Sequence, residues 1–233
     1  MESTDVLVIG SGIAGLCAAI EAARAGATVA IACAGKTMSG SSFFPGTWGL
    51  GLIGPVDKDD EQDLIDTIQT VGGGAADLEL VQTFVHGIPQ AIDWLEQDLG
   101  VELQRPQGAE SAQQKQLLPC FDHKTRMWRG LTRKPLEDAC AAQIKSLGIR
   151  LLPRHELIDL VESTTGKITG AVLYNQTDER IVTFTAKATV IAAGGTSGLF
   201  ERSLTSADVL SSSQAIALAH GASLTNIEFM QMM

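Results

Sequence analysis

The chain has few cysteines, few basic residues and no long apolar run, and each shortage closes off a class of function. Cys17, Cys33, Cys120 and Cys140 are its only cysteines. They form no C-x-x-C pair and have no histidine nearby at ligand spacing, which argues against a zinc site or a thioredoxin-like dithiol. Reduced thiols in a cytoplasmic protein account for them most simply. Cys120, in Leu118-Pro119-Cys120-Phe121-Asp122, reads either as a reactive thiol or as filler in a core or loop. Lys and Arg number 17 against 27 Asp and Glu, a formal charge of −10. Non-specific nucleic-acid binding needs clustered cations and is not expected, although an anion can still bind at a local helix terminus. No apolar run reaches the roughly 20 residues of a membrane span. The best candidate, Ile13 to Ile20, is soon followed by Glu21 and Arg24. Only four residues precede the first expected strand, so no cleavable signal peptide is expected.

The start of the chain is rich in information. In Asp5-Val6-Leu7-Val8-Ile9 the apolar run of four after Asp5 predicts a central parallel strand, buried on both faces. Leu16 to Ala25 is rich in small helix formers and is followed by Gly26, a C-terminal helix signal. Between them lies Gly10-Ser11-Gly12-Ile13-Ala14-Gly15, a G-x-G-x-x-G pattern in strand–turn–helix context. Gly10 permits the tight turn, Gly12 a close approach of pyrophosphate to the backbone, and Gly15 close helix–strand packing. The free N–H groups of the helix start then offer partial positive charge to phosphate oxygens. The alternative is a merely structural glycine turn.

At 233 residues, 45% of them hydrophobic, the chain suits one large domain or two small ones. A second strand is expected over Thr28 to Ala32, then a long loop of small and polar residues from Cys33 to Pro55. Apolar spacings of three and four predict amphipathic helices over Glu61 to Val71 and Leu78 to Leu99. Gly72-Gly73-Gly74 separates them, and Pro89 is expected to kink or divide the second. Gln104 to Gln116 reads as an exposed loop, and Pro135 to Leu147 as a helix with Pro135 in its first turn. From Ile149 the period changes to that of strands: Ile149 to Leu152, Glu156 to Val161, then Ile168 to Tyr174 and Ile181 to Thr185 as a hairpin or meander. Ala188 to Ala192 is a further buried strand that runs into Ala193-Gly194-Gly195. Ser212 to His220 is a last helix of small residues. No internal repeat is visible.

A strand ending in Ala192-Ala193-Gly194-Gly195, following the opening turn and a β-meander, is the arrangement of flavoproteins with two dinucleotide-binding domains. It favours FAD over NAD. Gly10 to Gly15, Gly26 to Val29, Ser41-Ser42, Val190 to Gly195, Ala217 to Ala222 and Glu228-Phe229-Met230-Gln231 follow in one order. In that order the chain resembles the N-terminal flavin-binding region of the fumarate reductase, succinate dehydrogenase and L-aspartate oxidase flavoproteins, over nearly all 233 residues. The resemblance implies an α/β fold: a Rossmann-like FAD-binding domain over residues 1–233, with a central parallel sheet plus a β-meander. It also implies FAD contacts from Gly10, Ser11, Gly12, Ile13, Ala14, Gly15, Cys33, Ala34, Ser41, Ser42, Glu156, Leu157, Ala193, Gly194, Gly195 and Ser213.

Departures from the family pattern sharpen this picture. Rossmann-type sites commonly carry an acidic residue at the end of the second strand for the ribose hydroxyls. Cys33 stands there, so ribose contact must come from backbone, water or neighbouring groups. Where succinate dehydrogenases have the Ser-His-Thr whose His carries a covalent flavin bond, this chain has Gly40-Ser41-Ser42. Ser41 has no imidazole nitrogen, which predicts non-covalent FAD; Ser41 and Ser42 either bond the pyrophosphate or flavin ring or belong to a solvated loop. Glu156 and Leu157 match the strand that touches adenine, and the family's Thr-Gly-Asp-Gly is matched to Ser211-Ser212-Ser213-Gln214.

The reaction is less legible. In the family's Glu-Phe-x-Gln-x-His-Pro-Thr the His binds substrate, and Met233 falls at its place. A thioether cannot donate a hydrogen bond to a carboxylate, which weakens a dicarboxylate assignment. No catalytic residue is assigned. Arg129, Arg133 and Lys134 read as a solvated surface or as contacts to an anionic small-molecule substrate. His86, His123, His155 and His220 read as surface or internally satisfied histidines. In the resembled family a capping domain and a second flavin-binding segment follow this region, so the chain is expected to be an incomplete FAD-binding domain. An FAD-dependent oxidoreductase acting on a small organic or amino acid, with an electron-transfer partner subunit, is the implied function. A flavin-binding module without catalysis and an NAD(P)-linked dehydrogenase are the alternatives.

Overall fold

The computed structural model describes residues 2–45, 50–105, 124, 126–203 and 205–229. The chain forms two compact units: residues 1–48 with 140–233, and residues 49–139. The expected features at Cys120, His123, Met233 and most of the Gln104 to Gln116 loop lie outside the described residues.

The first unit is built on a six-stranded sheet. Its strands are β1 (Glu2–Ile9), β2 (Val29–Cys33), β5 (Arg150–Pro153), β6 (His155–Glu162), β7 (Ile168–Asn175) and β8 (Arg180–Ile191), in spatial order β5-β2-β1-β8-β7-β6. β5, β2, β1 and β8 run parallel, while β6, β7 and β8 form an antiparallel meander. The expected parallel sheet and meander are therefore one sheet, joined through β8. Leu7 and Val8 are fully buried in β1, as a strand covered on both faces requires. The core gathers Leu7, Ala30, Leu157, Leu173 and Phe184 from five strands. Across the Phe184 ring lies the Arg150 guanidinium, 4.8 Å from the centroid, a favourable cation–π placement.

Sequence patterning divides β8 into two strands, Ile181 to Thr185 and Ala188 to Ala192, but it is continuous. Its first half pairs with β7 from Arg180 to Thr185, and its second half pairs with β1 from Phe184 to Ile191. The apolar alternation breaks where the partner changes, and Lys187 there pairs with Asp5 at 2.6 Å. β1 also starts earlier than Asp5, because Glu2 to Thr4 pair with Phe184 to Ala186.

Helix α1 (Ile13–Arg24) follows β1 and buries Gly15, Leu16, Ala19 and Ile20, one stripe at helical spacing. At its end the Ala27 N–H donates to Ala22 O at 3.1 Å, across Gly26 with φ +90°. Two further helices are α4 (Arg133–Ser146) and α5 (Ser212–Ala219).

In the second unit, α2 (Lys58–Val71) is capped by Asp57, whose carboxylate accepts from the Asp59 and Asp60 N–H groups. α3 (Leu78–Asp93) is capped by Asp77 accepting from Leu80 N–H. Both are standard N-caps. Leu64, Ile65, Val81, Val85 and Ile88 form the shared core of these helices. Arg126 is buried and donates to Asp60 and, at 2.8 Å, to Asp63.

Two expectations are corrected in this unit. Of the kink or division expected at Pro89, division does not occur: α3 continues to Asp93 and passes into a single π-helical turn over Trp94–Asp98. The expected Cys33 to Pro55 loop contains a strand, β3 (Leu50–Gly54), paired antiparallel with β4 (Met127–Leu131). Gly51, Gly54 and Gly130 hide this ribbon from sequence patterning, since glycine inside an apolar run reads as a turn signal.

Candidate functional site

The carboxyl ends of the parallel strands meet at one place. β1 and β2 end together, Ile9 beside Ala32, and β1 and β8 end together, Ile9 beside Ile191. The chain leaves β1 toward β2 on one side and receives β8 on the other, so this is the topological switch point, where open α/β sheets place their ligands. The Gly10 N–H donates to Ala32 O and the Ala192 N–H to Ile9 O, both at 2.7 Å. These bonds carry the strand pairings one residue into the two glycine turns.

The turn geometry is sterically enforced. Gly10 has φ +110°, and a Cβ there would stand 2.2 Å from Ala192 O. A Cβ on Gly15 would stand 2.0 Å from Gly10 O. The positive φ of Gly10 serves the tight turn and Gly15 the close packing that their spacing predicts, and Gly10 in addition lets the second turn close onto the first.

A cavity of about 270 Å³ opens at the switch point. Gly10, Ser11, Gly12, Ile13 and Ala14 line one wall, with Cys33 at the end of β2 and Ala34, Ser41 and Ser42 beyond it. Glu156 and Leu157 from β6, Ala193 and Gly194 after β8, and Ser213 at the start of α5 complete the expected set. Fourteen of the sixteen residues anticipated from the sequence therefore face one space. Gly15 and Gly195 do not line it; Gly15 acts through packing. The cavity also takes Gly35, Ser39, His155 and Asp208 to Leu210, which sequence patterning missed, together with Ser211 and Ser212 of the stretch matched to Thr-Gly-Asp-Gly. His155 is held by Pro153 O, 2.9 Å from its Nδ1.

The site fits an anionic nucleotide on three counts. Gly12 caps α1 with no side-chain hydrogen bond, and the first turn of α1 holds no acidic residue. Its leading N–H groups and the helix dipole are thus available to phosphate. Gly40 brings the Ser41-Ser42 segment against the turn, since a Cβ on Gly40 would lie only 3.1 Å from Gly12 Cα. Finally, Ser211 Oγ is buried at the cavity wall without a hydrogen-bond partner among the described residues, a polar group that a ligand would satisfy.

Around this floor the side chains are held in place. Ser11 is buried and accepts from the Met38 N–H at 3.0 Å. Burial pushes the Cys33 thiol up from its ordinary value; the Ser11 hydroxyl partly offsets this and the Asp208 charge reinforces it. Cys33 Sγ lies 3.7 Å from Gly35 O and 3.9 Å from Leu152 O, so it is a neutral, internally occupied thiol. Glu156 accepts from Gln176 Nε2 at 3.3 Å, and Gln214 Nε2 donates to Gly194 O. Behind α5, His220 is bracketed by Asp159 at 2.8 Å and Glu162 at 3.1 Å; these carboxylates push its imidazole up. It is an internally satisfied histidine, as expected.

The basic cluster belongs to other surroundings. Exposed Lys134 pairs with Asp138 at 2.5 Å, and Arg129 Nη1 donates to Trp128 O at 2.8 Å. The described residues hold no group of three or more His, Cys, Asp and Glu placed to bind a metal ion, and no helix long and apolar enough to cross a membrane.

Strand order, glycine turns and cavity together define a nucleotide-binding α/β protein of the Rossmann type. The chain belongs to the FAD binding domain family, whose model matches residues 5–233, and FAD is its cofactor. It is 32% identical over 244 residues to the L-aspartate oxidase of Halobacterium salinarum, covering 98% of this chain and 45% of that protein. It is 26% identical over 231 residues to the fumarate reductase flavoprotein subunit of Escherichia coli, covering 97% of this chain and 37% of that one. Mycobacterium smegmatis Sdh1 in complex with UQ1 has the same fold, with TM-score 0.78 at 26% identity over 99% of this chain and 41% of its own. The chain spans less than half the length of these relatives.

Proposed function

We propose that this chain is the flavin-binding part of a cytoplasmic FAD-dependent oxidoreductase of the fumarate reductase/L-aspartate oxidase type. It holds FAD non-covalently and acts on a small anionic organic or amino acid, with electrons exchanged through a partner subunit. One observation carries this: fourteen expected contact residues from six separate segments line a single cavity at the switch point of the sheet. The family model runs through both compact units, which supports treating residues 1–233 as one FAD-binding domain with residues 49–139 inserted between β2 and β5.

Within the cavity, the N–H groups of Ser11 to Ala14 take the pyrophosphate and the backbone of Glu156 and Leu157 takes adenine. Ser41 offers a hydroxyl where a covalent link needs an imidazole. Ser211 has φ +63°, the left-handed conformation that glycine favours. In Thr-Gly-Asp-Gly the glycine-like backbone thus falls on Ser211, which brings Ser212 to the place of the Asp and leaves buried Ser213 as the following small residue. When bound, FAD supplies the hydride chemistry of the reaction. The chain's residues hold its phosphates and ribose, orient it and exclude water.

An absorbance spectrum of the purified protein tests the proposal. Flavin bands whose colour moves to the supernatant on acid precipitation are expected. A yellow pellet overturns non-covalent binding, and colourless protein that gives a thermal shift with NAD but not FAD overturns the site assignment. The chain's short span relative to its relatives favours one second reading, a flavin module without turnover. Anaerobic bleaching of the flavin by L-aspartate, or recovery of its colour with fumarate after reduction, decides against that module.

A further inference from the structure

The ribose hydroxyls need a hydrogen-bonding partner that Cys33 does not provide. The end of β2, where an acidic side chain would stand, carries a neutral thiol already turned toward Gly35 O and Leu152 O. A carboxylate nevertheless reaches the same corner from a distant part of the chain. Asp208 lies in the segment between β8 and α5, 175 positions after Cys33, and lines the same cavity. A Cβ added to Gly35 would stand 2.9 Å from Asp208 Oδ2 and 3.8 Å from Ser39 Oγ. The absent side chain at position 35 thus makes room for two hydrogen-bonding groups over one backbone turn.

That turn is fixed from below and the carboxylate from the side. The Arg154 N–H donates to Gly35 O at 2.9 Å, continuing the β2–β5 pairing past Cys33 and Pro153. Ser206 Oγ donates to Asp208 Oδ1, which leaves Oδ2 as the oxygen over Gly35. Val209, the next residue, is buried, and its carbonyl accepts from the Gly198 N–H at 2.8 Å. The Asp208 backbone is therefore anchored although its side chain is exposed.

We infer that Asp208 Oδ2, with Ser39 Oγ beside it, replaces the missing acidic residue at the end of β2 and binds the ribose hydroxyls of the nucleotide. The inference rests on the FAD site proposed above and names the sugar contact within it. Both oxygens of an ionised carboxylate are acceptors only, which suits a vicinal diol. The same negative charge disfavours a 2′-phosphorylated ribose, so Asp208 also selects against phosphorylated dinucleotides.

The test uses flavin-free protein and titration calorimetry with ADP, 2′,3′-dideoxy-ADP and adenosine 2′,5′-bisphosphate, with circular dichroism confirming that each variant is folded. Wild type should bind ADP about 10- to 100-fold more tightly than the dideoxy analogue, the range for hydrogen bonds to a charged group. Asp208→Asn and Asp208→Ala should lose most of that preference while binding dideoxy-ADP as wild type does, and should bind the bisphosphate better. Equal weakening of ADP and dideoxy-ADP, or no change in either, overturns the assignment while leaving the nucleotide site intact. Wild-type protein that binds neither ADP nor FAD overturns the site itself. If a variant does not fold, the wild-type comparison decides: no preference for ADP over its dideoxy analogue refutes the ribose contact.

Discussion

Replacing Gly10 with alanine separates the architecture of the site from its ligand chemistry. The added methyl would stand 2.2 Å from Ala192 O and 2.9 Å from Ala193 Cα. A carbon–oxygen contact relaxes at about 3.3 Å, so roughly 1 Å of overlap must be relieved, and both neighbours are backbone. Relief means parting the ends of β1 and β8 and losing the 2.7 Å bond from Ala192 N–H to Ile9 O, worth about 1 kcal/mol. Holding an L-residue at positive φ costs about 1–2 kcal/mol more, and overpacking typically adds about 1–3 kcal/mol. The sum, about 3–6 kcal/mol, is a large share of the roughly 5–15 kcal/mol that stabilises a domain. It should lower Tm by on the order of 10 °C or more.

Gly12→Ala is the control. Gly12 has φ −71°, and its nearest new neighbour would be Gly40 Cα at 4.0 Å. Its fold should lose no more than about 1 kcal/mol, the difference between glycine and alanine at an N-cap, while the methyl enters the cavity and weakens FAD. Thermal melts by far-ultraviolet circular dichroism and flavin-fluorescence titration measure the two effects. A Gly10→Ala protein melting within 2 °C of wild type (about 1 kcal/mol or less), or a Gly12→Ala protein with undiminished FAD affinity, would refute the steric reasoning.

Three further outcomes are expected. His220 is pushed up by Asp159 and Glu162, so its contribution is full below the ordinary histidine value of about 6.5 and fades as pH rises through its higher folded value. The Tm gap between wild type and His220→Gln should therefore be widest near pH 6 and close in alkaline buffer; a gap independent of pH counts against the ion-pair account. Burial pushes the Cys17 and Cys140 thiols up to about 11. Iodoacetamide at pH 8 should leave both unmodified in native protein and label them in urea, as read by peptide mass spectrometry. Arg126→Met should destabilise the second unit by about 1–3 kcal/mol, below the usual cost of breaking a buried pair, because Asp60 and Asp63 are 19% and 46% exposed. Hydrogen exchange confined to residues 49–139 checks this.

Much of the site was legible because its signals are local. Gly10 to Gly15 are strand, turn and helix start within a dozen residues, and the small residues after β8 announce a second backbone crossing. Cys33 could be read as a missing acid because it follows the second strand directly. Other features depend on partners remote in sequence. The β3–β4 ribbon joins residues about 75 apart through glycines that locally mimic turns. β8 looks broken because it changes partner midway. Asp208 carries no local mark of a ligand-binding residue, since only the folded chain brings it over Gly35.

The sequence by itself determined the cofactor class, the parallel sheet with its meander and the absence of an imidazole for a covalent flavin link. These follow from backbone permissiveness and hydrophobic period, which act over a few residues. Tertiary structure alone decided that the meander and the parallel strands are one sheet. It placed Ser211 in the left-handed conformation, and it brought a carboxylate from beyond β8 to the end of β2. The first and last of these depend on pairing and packing between segments more than a hundred residues apart, where volume and strand pairing select the neighbours.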